Sequence, residues 1–170
     1  MKRHEVPYTY QLDRTLEAFT SGGVLLAATK KSGKSNVMTI GWGTVGIIWR
    51  KKIVMVLVRP SRYTYEFIED SREFTVNVPT PEIKDWLAFC GSHSGRDVDK
   101  FAACRMATSP GQCVQSITID ACPLVYECKV VYHTDLIPAN LAPDIIPAAY
   151  PRGDFHRLYF GEIMGVFAAE

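Results

Sequence analysis

Two arginines and two hydroxyl side chains lie close together where an apolar strand is predicted to give way to a helix. The β-branched run from Val56 ends at Pro60, and Ser61 is a good N-cap for the helical pattern of 63–69. A helix N-terminus attracts anions through its unpaired N–H groups, and guanidinium groups match phosphate better than ammonium groups do. The cluster therefore predicts a site for a phosphate monoester, although solvated arginines in a strand-turn-helix would give the same pattern. Its members are Arg59, Ser61, Arg62 and Thr64.

A second segment, Ala28–Ser35, is close to the phosphate-binding pattern G-x-x-x-x-G-K-S, with Ala28 in place of the first glycine. That loop needs a helix directly after it, so that the helix N–H groups face the phosphates. The residues that follow are instead a strand pattern with glycines at 41 and 43. The segment is better interpreted as a glycine-containing hairpin turn than as part of a nucleoside triphosphatase.

The elements that must position these residues are mostly strands. Apolar and alternating runs predict strands over 24–29, 37–48, 53–58, 74–78, 124–133 and 158–168, and the first three could form a meander. Short helices are predicted over 63–69 and 81–89, and another is capped by Asp97 and runs through Cys104. A proline-rich stretch from Leu136 to Gly153 is predicted to be a long ordered loop.

Composition narrows the class of protein. The chain has 170 residues with 47% apolar and 22% charged residues, which are globular values and suit one domain over 1–170. A net charge of +1 gives no electrostatic basis for nucleic-acid binding. No apolar run approaches the ~20 residues of a membrane span, and the N-terminus lacks a signal-peptide core. The expected location is the cytoplasm.

Cysteine and histidine patterns do not favour a metal centre. The five cysteines contain no Cys-x-x-Cys pair, and none of the four histidines are spaced as i and i+4. We expect most of the thiols to be reduced and to pack as small apolar side chains. One reactive thiol among them stays an alternative. The cysteines are Cys90, Cys104, Cys113, Cys122 and Cys128.

Taken together, five segments resemble the FMN-binding split-barrel family of flavin reductases and flavoredoxins. The matching segments are Asn36–Trp42, Val58–Thr64, Phe74–Pro79, Cys90–Phe101 and His156–Ile163. Their order and spacing cover nearly the whole chain, whereas each segment alone is a weak signal. The chain departs from the family at Lys51 and Lys52, where a proline often precedes the next strand.

The resemblance implies a mainly β fold, an antiparallel Greek-key split barrel of about six strands with a few short peripheral helices. It also implies a homodimer with the flavin at or near the subunit interface. The segment Gly161–Phe167 is more apolar than an exposed edge strand should be, which favours a role for it in that dimer.

The resemblance assigns FMN as the cofactor and distributes its contacts over three segments. The flavin ring would lie on the first segment, where glycines let the backbone approach closely, although periodicity alone would favour an ordinary core strand with a buried tryptophan. These ring contacts are Asn36, Met38, Thr39, Ile40, Gly41 and Trp42. The phosphate would lie at Arg59, Ser61, Arg62 and Thr64.

The third segment is a polar loop that runs into a helix. Ser94 and Lys100, together with Arg96, could reach the ribityl chain, the phosphate or a bound nicotinamide nucleotide, or could simply cap the helix in solvent. His156 matches a position that the family often fills with histidine; it could act near the flavin, but a structural hydrogen bond is the favoured role.

The function implied by the resemblance is an FMN oxidoreductase that moves electrons from NAD(P)H or a redox partner protein. No catalytic side chain is required, because the flavin carries the electrons. Two alternatives stay open: a module that holds FMN for electron transfer without significant NAD(P)H turnover, and a non-redox split-barrel protein.

Overall fold

The computed structural model describes residues 2–169. The strands are β1 (His4–Glu5), β2 (Val24–Thr29), β3 (Ser35–Ile40), β4 (Gly43–Ile48), β5 (Lys51–Val58), β6 (Glu73–Val78), β7 (Thr108–Pro110), β8 (Ile117–Ile119), β9 (Leu124–Asp135) and β10 (Arg157–Ala168). The helices are α1 (Leu12–Thr20), α2 (Tyr63–Ser71), α3 (Lys84–Ser92), α4 (Lys100–Ala103) and α5 (Ile145–Ala149), with 3₁₀ turns at Pro81–Ile83 and Pro138–Asn140.

Eight of the strands in residues 2–169 form one large antiparallel sheet in the order β3-β2-β6-β9-β10-β5-β4, with β1 paired to the end of β10. Strands β7 and β8 form a separate two-stranded sheet. The long strands β9 and β10 pair along their length, and their register shifts at Phe160/Gly161 and again at Ile163/Gly165. Such bulges increase bending and twist. The predicted mainly β split-barrel fold is confirmed, and side chains such as Phe74, Tyr126 and Tyr159 fill its core.

The predicted strand over 37–48 is wrong, because the chain breaks at Gly41 and Trp42 into β3 and β4. The predicted meander is wrong as well. β3 pairs with β2, whereas β4 pairs with β5, and these two hairpins lie at opposite ends of the strand order. The break lets the chain cross from one edge of the sheet to the other, which a continuous strand could not do.

Helix caps differ from the sequence-based expectations. Arg62, and not Ser61, occupies the N-cap of α2 and makes no side-chain cap hydrogen bond, whereas the Ser61 hydroxyl donates to Asp154 Oδ2 at 2.6 Å. Asp99, and not Asp97, caps α4 and accepts hydrogen bonds from two backbone N–H groups. Helix α1 was not predicted; its N-cap, Gln11, is left-handed and makes no side-chain cap hydrogen bond, so the usual start signal is missing.

The segment that resembles a phosphate-binding loop is a hairpin turn, as predicted. Lys30 N donates to Lys34 O at 2.8 Å, and Gly33 adopts a positive φ of 88°. Strand β3 follows at Ser35 in place of the helix that a phosphate-binding loop needs.

The segment Gly161–Phe167 lies in β10 and pairs with β9, whereas only its first two residues, Gly161 and Glu162, also pair with β5. Gly161 and 165–167 are buried, whereas Met164 is 43% exposed, and the part of this segment in a dimer stays a prediction. The sheet edges are β3 and β4. No helix in the described part of the chain has the length and apolar character needed to cross a bilayer.

Candidate functional site

Two adjoining cavities open where β3, the β5–α2 junction and the α3–α4 loop meet. The first cavity, of about 200 Å³, is lined by the C-terminal end of β3 and by Leu57, Arg59 and His156. The second cavity, of about 360 Å³, lies against the start of α2 and the loop 91–97. Met38, Thr39 and Arg62 line both, so the two cavities form one groove.

Every residue predicted from the sequence to contact a flavin lines one or both cavities. These residues are Asn36, Met38, Thr39, Ile40, Gly41, Trp42, Arg59, Ser61, Arg62, Thr64, Ser94 and Lys100. Segments that are far apart in sequence are brought together because β3 and the β5–α2 junction border the same groove. Their individual roles in binding stay predictions.

Arg62 lies between the two cavities at the start of α2. Its backbone N–H donates to Arg59 O at 3.0 Å, whereas its guanidinium has no hydrogen-bond or ion-pair partner within residues 2–169. Its positive charge helps to lower the pKa of both Lys100 and His156, although burial is the larger cause in each case. An exposed cation beside a helix N-terminus is suited to hold an anion.

Arg59 is placed differently from the sequence-based expectation of a free guanidinium. It donates to three backbone carbonyls of the β9–β10 connection: Ala149 O at 2.9 Å, Gly153 O at 3.3 Å and Asp154 O at 2.9 Å. Its guanidinium carbon also lies 5.0 Å from the centre of the Tyr150 ring. Arg59 is therefore engaged with protein groups on several sides.

The hydroxyl residues of the junction are also engaged. Thr64 is buried, and its hydroxyl accepts a 2.9 Å hydrogen bond from the Asn36 side-chain amide. Asn36 therefore links β3 to the first turn of α2, which fixes the spacing between the two segments. Ser61 donates to Asp154, so its oxygen retains acceptor capacity only.

The loop of the second cavity packs closely on β3. A Cβ atom at Gly95 would overlap the Asn36 side-chain amide, so the loop needs a glycine there. The Ser94 hydroxyl accepts from Arg96 N at 3.1 Å, and the Arg96 guanidinium forms an ion pair with Glu66 at 2.6 Å. Arg96 is therefore partly neutralised, in contrast to Arg62.

Lys100 is buried at the floor of the second cavity. Its ammonium donates to Val37 O at 2.9 Å and to Cys90 O at 2.8 Å, and burial lowers its pKa. Lys100 thus ties α4 to β3 and to the end of α3. Burial raises the pKa of the neighbouring Cys90 thiol to about 12, so this thiol stays protonated and is a poor nucleophile at neutral pH.

The β3–β4 break presents an aromatic surface to the first cavity. Trp42 is 43% exposed, in contrast to the buried core tryptophan of the alternative interpretation. Its ring centre lies 4.9 Å from that of His156 and 6.1 Å from that of Tyr150. The Thr39 hydroxyl donates to Leu87 O at 2.7 Å, which anchors this end of β3 to α3.

His156 forms part of the wall of the first cavity. Its Nδ1 lies 2.7 Å from the Tyr150 hydroxyl, and the side chain is buried. Burial, followed by the charge of Arg59, lowers the pKa of His156 to about 4, with Arg62 lowering it further and Asp154 opposing the shift. The imidazole is therefore neutral at neutral pH.

Sequence reasoning missed the contribution of the β9–β10 connection. Tyr150 and Asp154 bind Arg59, Ser61 and His156, yet the segment gave only a proline-rich loop signal. A buried tyrosine next to Pro151 and Gly153 is too common a pattern to identify such a role.

The groove has the features that a flavin mononucleotide requires. The Arg62 guanidinium, which has no partner among the described residues, and the first turn of α2 fit a phosphate. The exposed Trp42 beside Gly41 fits a flat ring that needs close backbone approach. The second cavity, of about 360 Å³, lies in the ordinary range for small-molecule sites, about 300–1,000 Å³, and the first extends the groove beside it.

Comparison with known proteins decides the family. The model of the flavin reductase like domain matches residues 16–170. The chain belongs to the flavin reductase-like family. An uncharacterised protein of Archaeoglobus fulgidus is 29% identical over 133 residues, which cover 78% of this chain and 65% of that protein. The chain spans less than two thirds of the length of the curated relatives it matches.

Solved structures of the family share the fold. The flavoredoxin of Methanosarcina acetivorans is 26% identical with a TM-score of 0.68, covering 87% of this chain and 69% of that one. An FMN-binding domain of a flavin reductases-like enzyme from Shewanella baltica is 21% identical with a TM-score of 0.69, covering 98% and 77% of the two chains. Family and fold together support a flavoprotein.

Proposed function

We propose that the protein is an FMN-binding oxidoreductase that takes electrons from NAD(P)H and passes them on through the flavin. The observation that carries this proposal is the unpartnered Arg62 guanidinium at the start of α2, within one groove that also contains the exposed Trp42. The groove therefore has an anion-binding end and a flat end lined by an aromatic ring. A mononucleotide with a large ring requires both.

The phosphate would lie at the junction of the two cavities. Arg62 would supply the charge-assisted hydrogen bonds, which are about twice as strong as neutral ones, and the α2 backbone N–H groups would add to them. Ser61 and Thr64 hydroxyl oxygens border the same space, and Ser94 faces it from the opposite loop. The ribityl chain would extend from here along Met38 and Thr39.

The ring would lie along the end of β3. Gly41 has no side chain to hold the ring away from the backbone, and Trp42 and His156 border it on the far side. When bound, FMN supplies the hydride and electron chemistry, so the chain's own residues bind it, orient it and control access to it. Lys100 and Asn36 act indirectly, since they fix β3 against the two elements that carry the phosphate contacts.

NAD(P)H oxidation tests the enzymatic part of the proposal. Purified protein with added FMN should oxidise NADH or NADPH, and the rate should fall when FMN is omitted or replaced by a flavin that the protein binds poorly. The measurement is the absorbance of the nicotinamide at steady state. Protein that holds FMN but does not accelerate nicotinamide oxidation would contradict NAD(P)H turnover.

A second candidate function is an electron carrier that holds FMN and exchanges electrons with a redox protein. It is favoured by the likeness to a protein that is named as a flavoredoxin. The two functions differ in three readouts: a carrier retains FMN through purification, is reduced by a protein donor, and reacts slowly with NAD(P)H.

We also propose a homodimer, for which an exposed aromatic surface gives support. Trp49 is 58% exposed, and its ring lies 5.8 Å from Tyr132 and 6.0 Å from Phe160, with Ile47 exposed nearby on the edge strand β4. Trp49 and Arg50 both adopt positive φ angles of 53° and 59° at the hairpin tip. A second copy would bury this apolar surface, which soluble monomers rarely expose.

A matched pair of glycine substitutions tests the dimer. Trp49→Gly and Arg50→Gly both relieve a positive φ, but only the first removes the exposed ring. We expect Trp49→Gly to weaken the dimer by at least about tenfold, as loss of a central aromatic contact does, and Arg50→Gly to leave it intact. Light scattering at micromolar concentration measures both. A monomeric wild-type protein, or equal behaviour of the two variants, would contradict this interface.

A further inference from the structure

The β9–β10 connection reaches the groove through a small set of contacts. Between Leu136 and Phe155, Tyr150 is the buried side chain, and the others are half-buried or exposed. A segment with so little core of its own has low local stability, so a few polar contacts decide whether it stays in place. Those contacts all lie at its C-terminal end.

Arg59 makes the largest number of these contacts. One Nη donates to Ala149 O, and the other donates to Gly153 O and Asp154 O. Three carbonyl oxygens point at the guanidinium, and the Tyr150 ring lies over it. A phosphate placed against the same donors would face these partly negative oxygens. Arg62 has no such partners, so the two arginines do not have equivalent environments.

The contacts continue from Arg59 to the wall of the first cavity. The Tyr150 hydroxyl is hydrogen-bonded to His156 Nδ1, and the His156 ring lies against Trp42. The Ser61–Asp154 hydrogen bond holds the same segment to the residue beside Pro60. Arg59 therefore contacts the segment that sets the position of both Tyr150 and His156.

From these contacts we infer that Arg59 is a positioning residue and not a ligand of the flavin phosphate. It holds the segment 149–154 in place behind His156, and thereby fixes this cavity-lining imidazole beside the flavin ring. The identity of the ligand in this inference rests on the proposed function, whereas the contacts of Arg59 are observed in the structure. Loss of Arg59 opens the segment and removes the support of His156 in the wall of the first cavity, which affects every ligand of that cavity alike.

The ligand-free protein gives the first test, with Arg59→Ala compared to Arg152→Ala. Arg152 is an exposed arginine of the same connection, and its side chain has no hydrogen-bond partner in the described residues. The His156 pKa, measured by NMR titration, should rise from about 4 in Arg59→Ala because a nearby positive charge and burial are both lost. Arg152→Ala should leave it unchanged. The groups facing His156 are Arg59, Arg62, Asp154 and Tyr150.

Limited proteolysis with thermolysin gives a second readout that requires no flavin. Cleavage within 136–155 should be faster in Arg59→Ala than in wild type or Arg152→Ala, because the segment opens more often. Arg59→Lys keeps the charge but cannot reach three carbonyls with fixed geometry, so it should give intermediate cleavage. If Arg59→Ala fails to fold, Arg59→Lys carries the same comparison.

Flavin titration distinguishes positioning from phosphate binding. If the closed segment falls to about one tenth of the population in Arg59→Ala, affinity for FMN and for riboflavin should each fall about tenfold. A loss for FMN at least tenfold greater than for riboflavin would overturn the inference, as would an unchanged His156 pKa with unchanged proteolysis. If wild type binds neither flavin, the proposed function fails, while the two ligand-free readouts still decide the role of Arg59.

Discussion

Replacing Arg62 with alanine is expected to weaken FMN binding by about one to two powers of ten and to leave riboflavin binding almost unchanged. The Arg62 guanidinium is unpartnered within residues 2–169 and borders both cavities. Charge-assisted hydrogen bonds contribute ~1.5–3 kcal/mol, which corresponds to that range of affinity. Riboflavin has no phosphate, so it has no such contact to lose. Paired titrations followed by flavin fluorescence measure both affinities.

Two further variants control the Arg62 experiment. Arg62→Lys should recover only part of the FMN affinity, because a single ammonium cannot reproduce the bidentate geometry of guanidinium on phosphate. Arg152→Ala, which removes an exposed arginine outside both cavities, should have no effect on either ligand. Equal losses of FMN and riboflavin in Arg62→Ala would mean that Arg62 supports the fold or contacts the ring, and would remove the phosphate assignment.

The largest effect on stability is expected for Gly161→Ala. A Cβ atom there would lie 2.7 Å from Cε1 of Phe74 and 2.8 Å from Cβ of Cys128, both of which are fully buried. Overfilling a packed core typically costs about 1–3 kcal/mol of stability. The added methyl group would also lie at a register shift between β9 and β10, which increases the expected loss. The free energy of unfolding, from urea denaturation, should fall accordingly.

Gly46→Ala is the matched control for that experiment. Gly46 also lies in a strand, but apart from Gly46 and its two chain neighbours no heavy atom of residues 2–169 lies within 4 Å of the Cβ position. Since glycine within a strand costs roughly 0.5–1 kcal/mol relative to alanine, this variant should be as stable as wild type or slightly more stable. If Gly161→Ala proved as stable as Gly46→Ala, the close packing of β10 on Phe74 would be contradicted.

Much of the strand content could be predicted because β-branched runs and glycine or proline boundaries are local signals. Strand β2 begins and ends where the pattern indicates, and β6 and β10 begin one residue earlier. Strand order is not a local property. The pairing of β10 with both β5 and β9 depends on packing between distant segments, so it could not be predicted from the sequence.

For the candidate site too, the sequence predicted which residues would take part, but it did not predict the contacts that each one makes. The strand-to-helix junction indicated the arginine cluster, and the family resemblance predicted the other side chains of the site; the structure places all of them along one groove. The partners of each side chain were not predictable. Arg59 and Arg62 are equivalent in sequence, and only the path of the β9–β10 connection separates the arginine bound to carbonyls from the unpartnered one.

The absorption spectrum of the protein, as purified and after titration with FMN, tests the central claim most directly. We predict a flavin spectrum that is perturbed relative to free FMN, saturation at one FMN per chain, and tighter binding of FMN than of riboflavin. A colourless protein whose titration leaves the FMN spectrum unperturbed would contradict a flavin site in this groove.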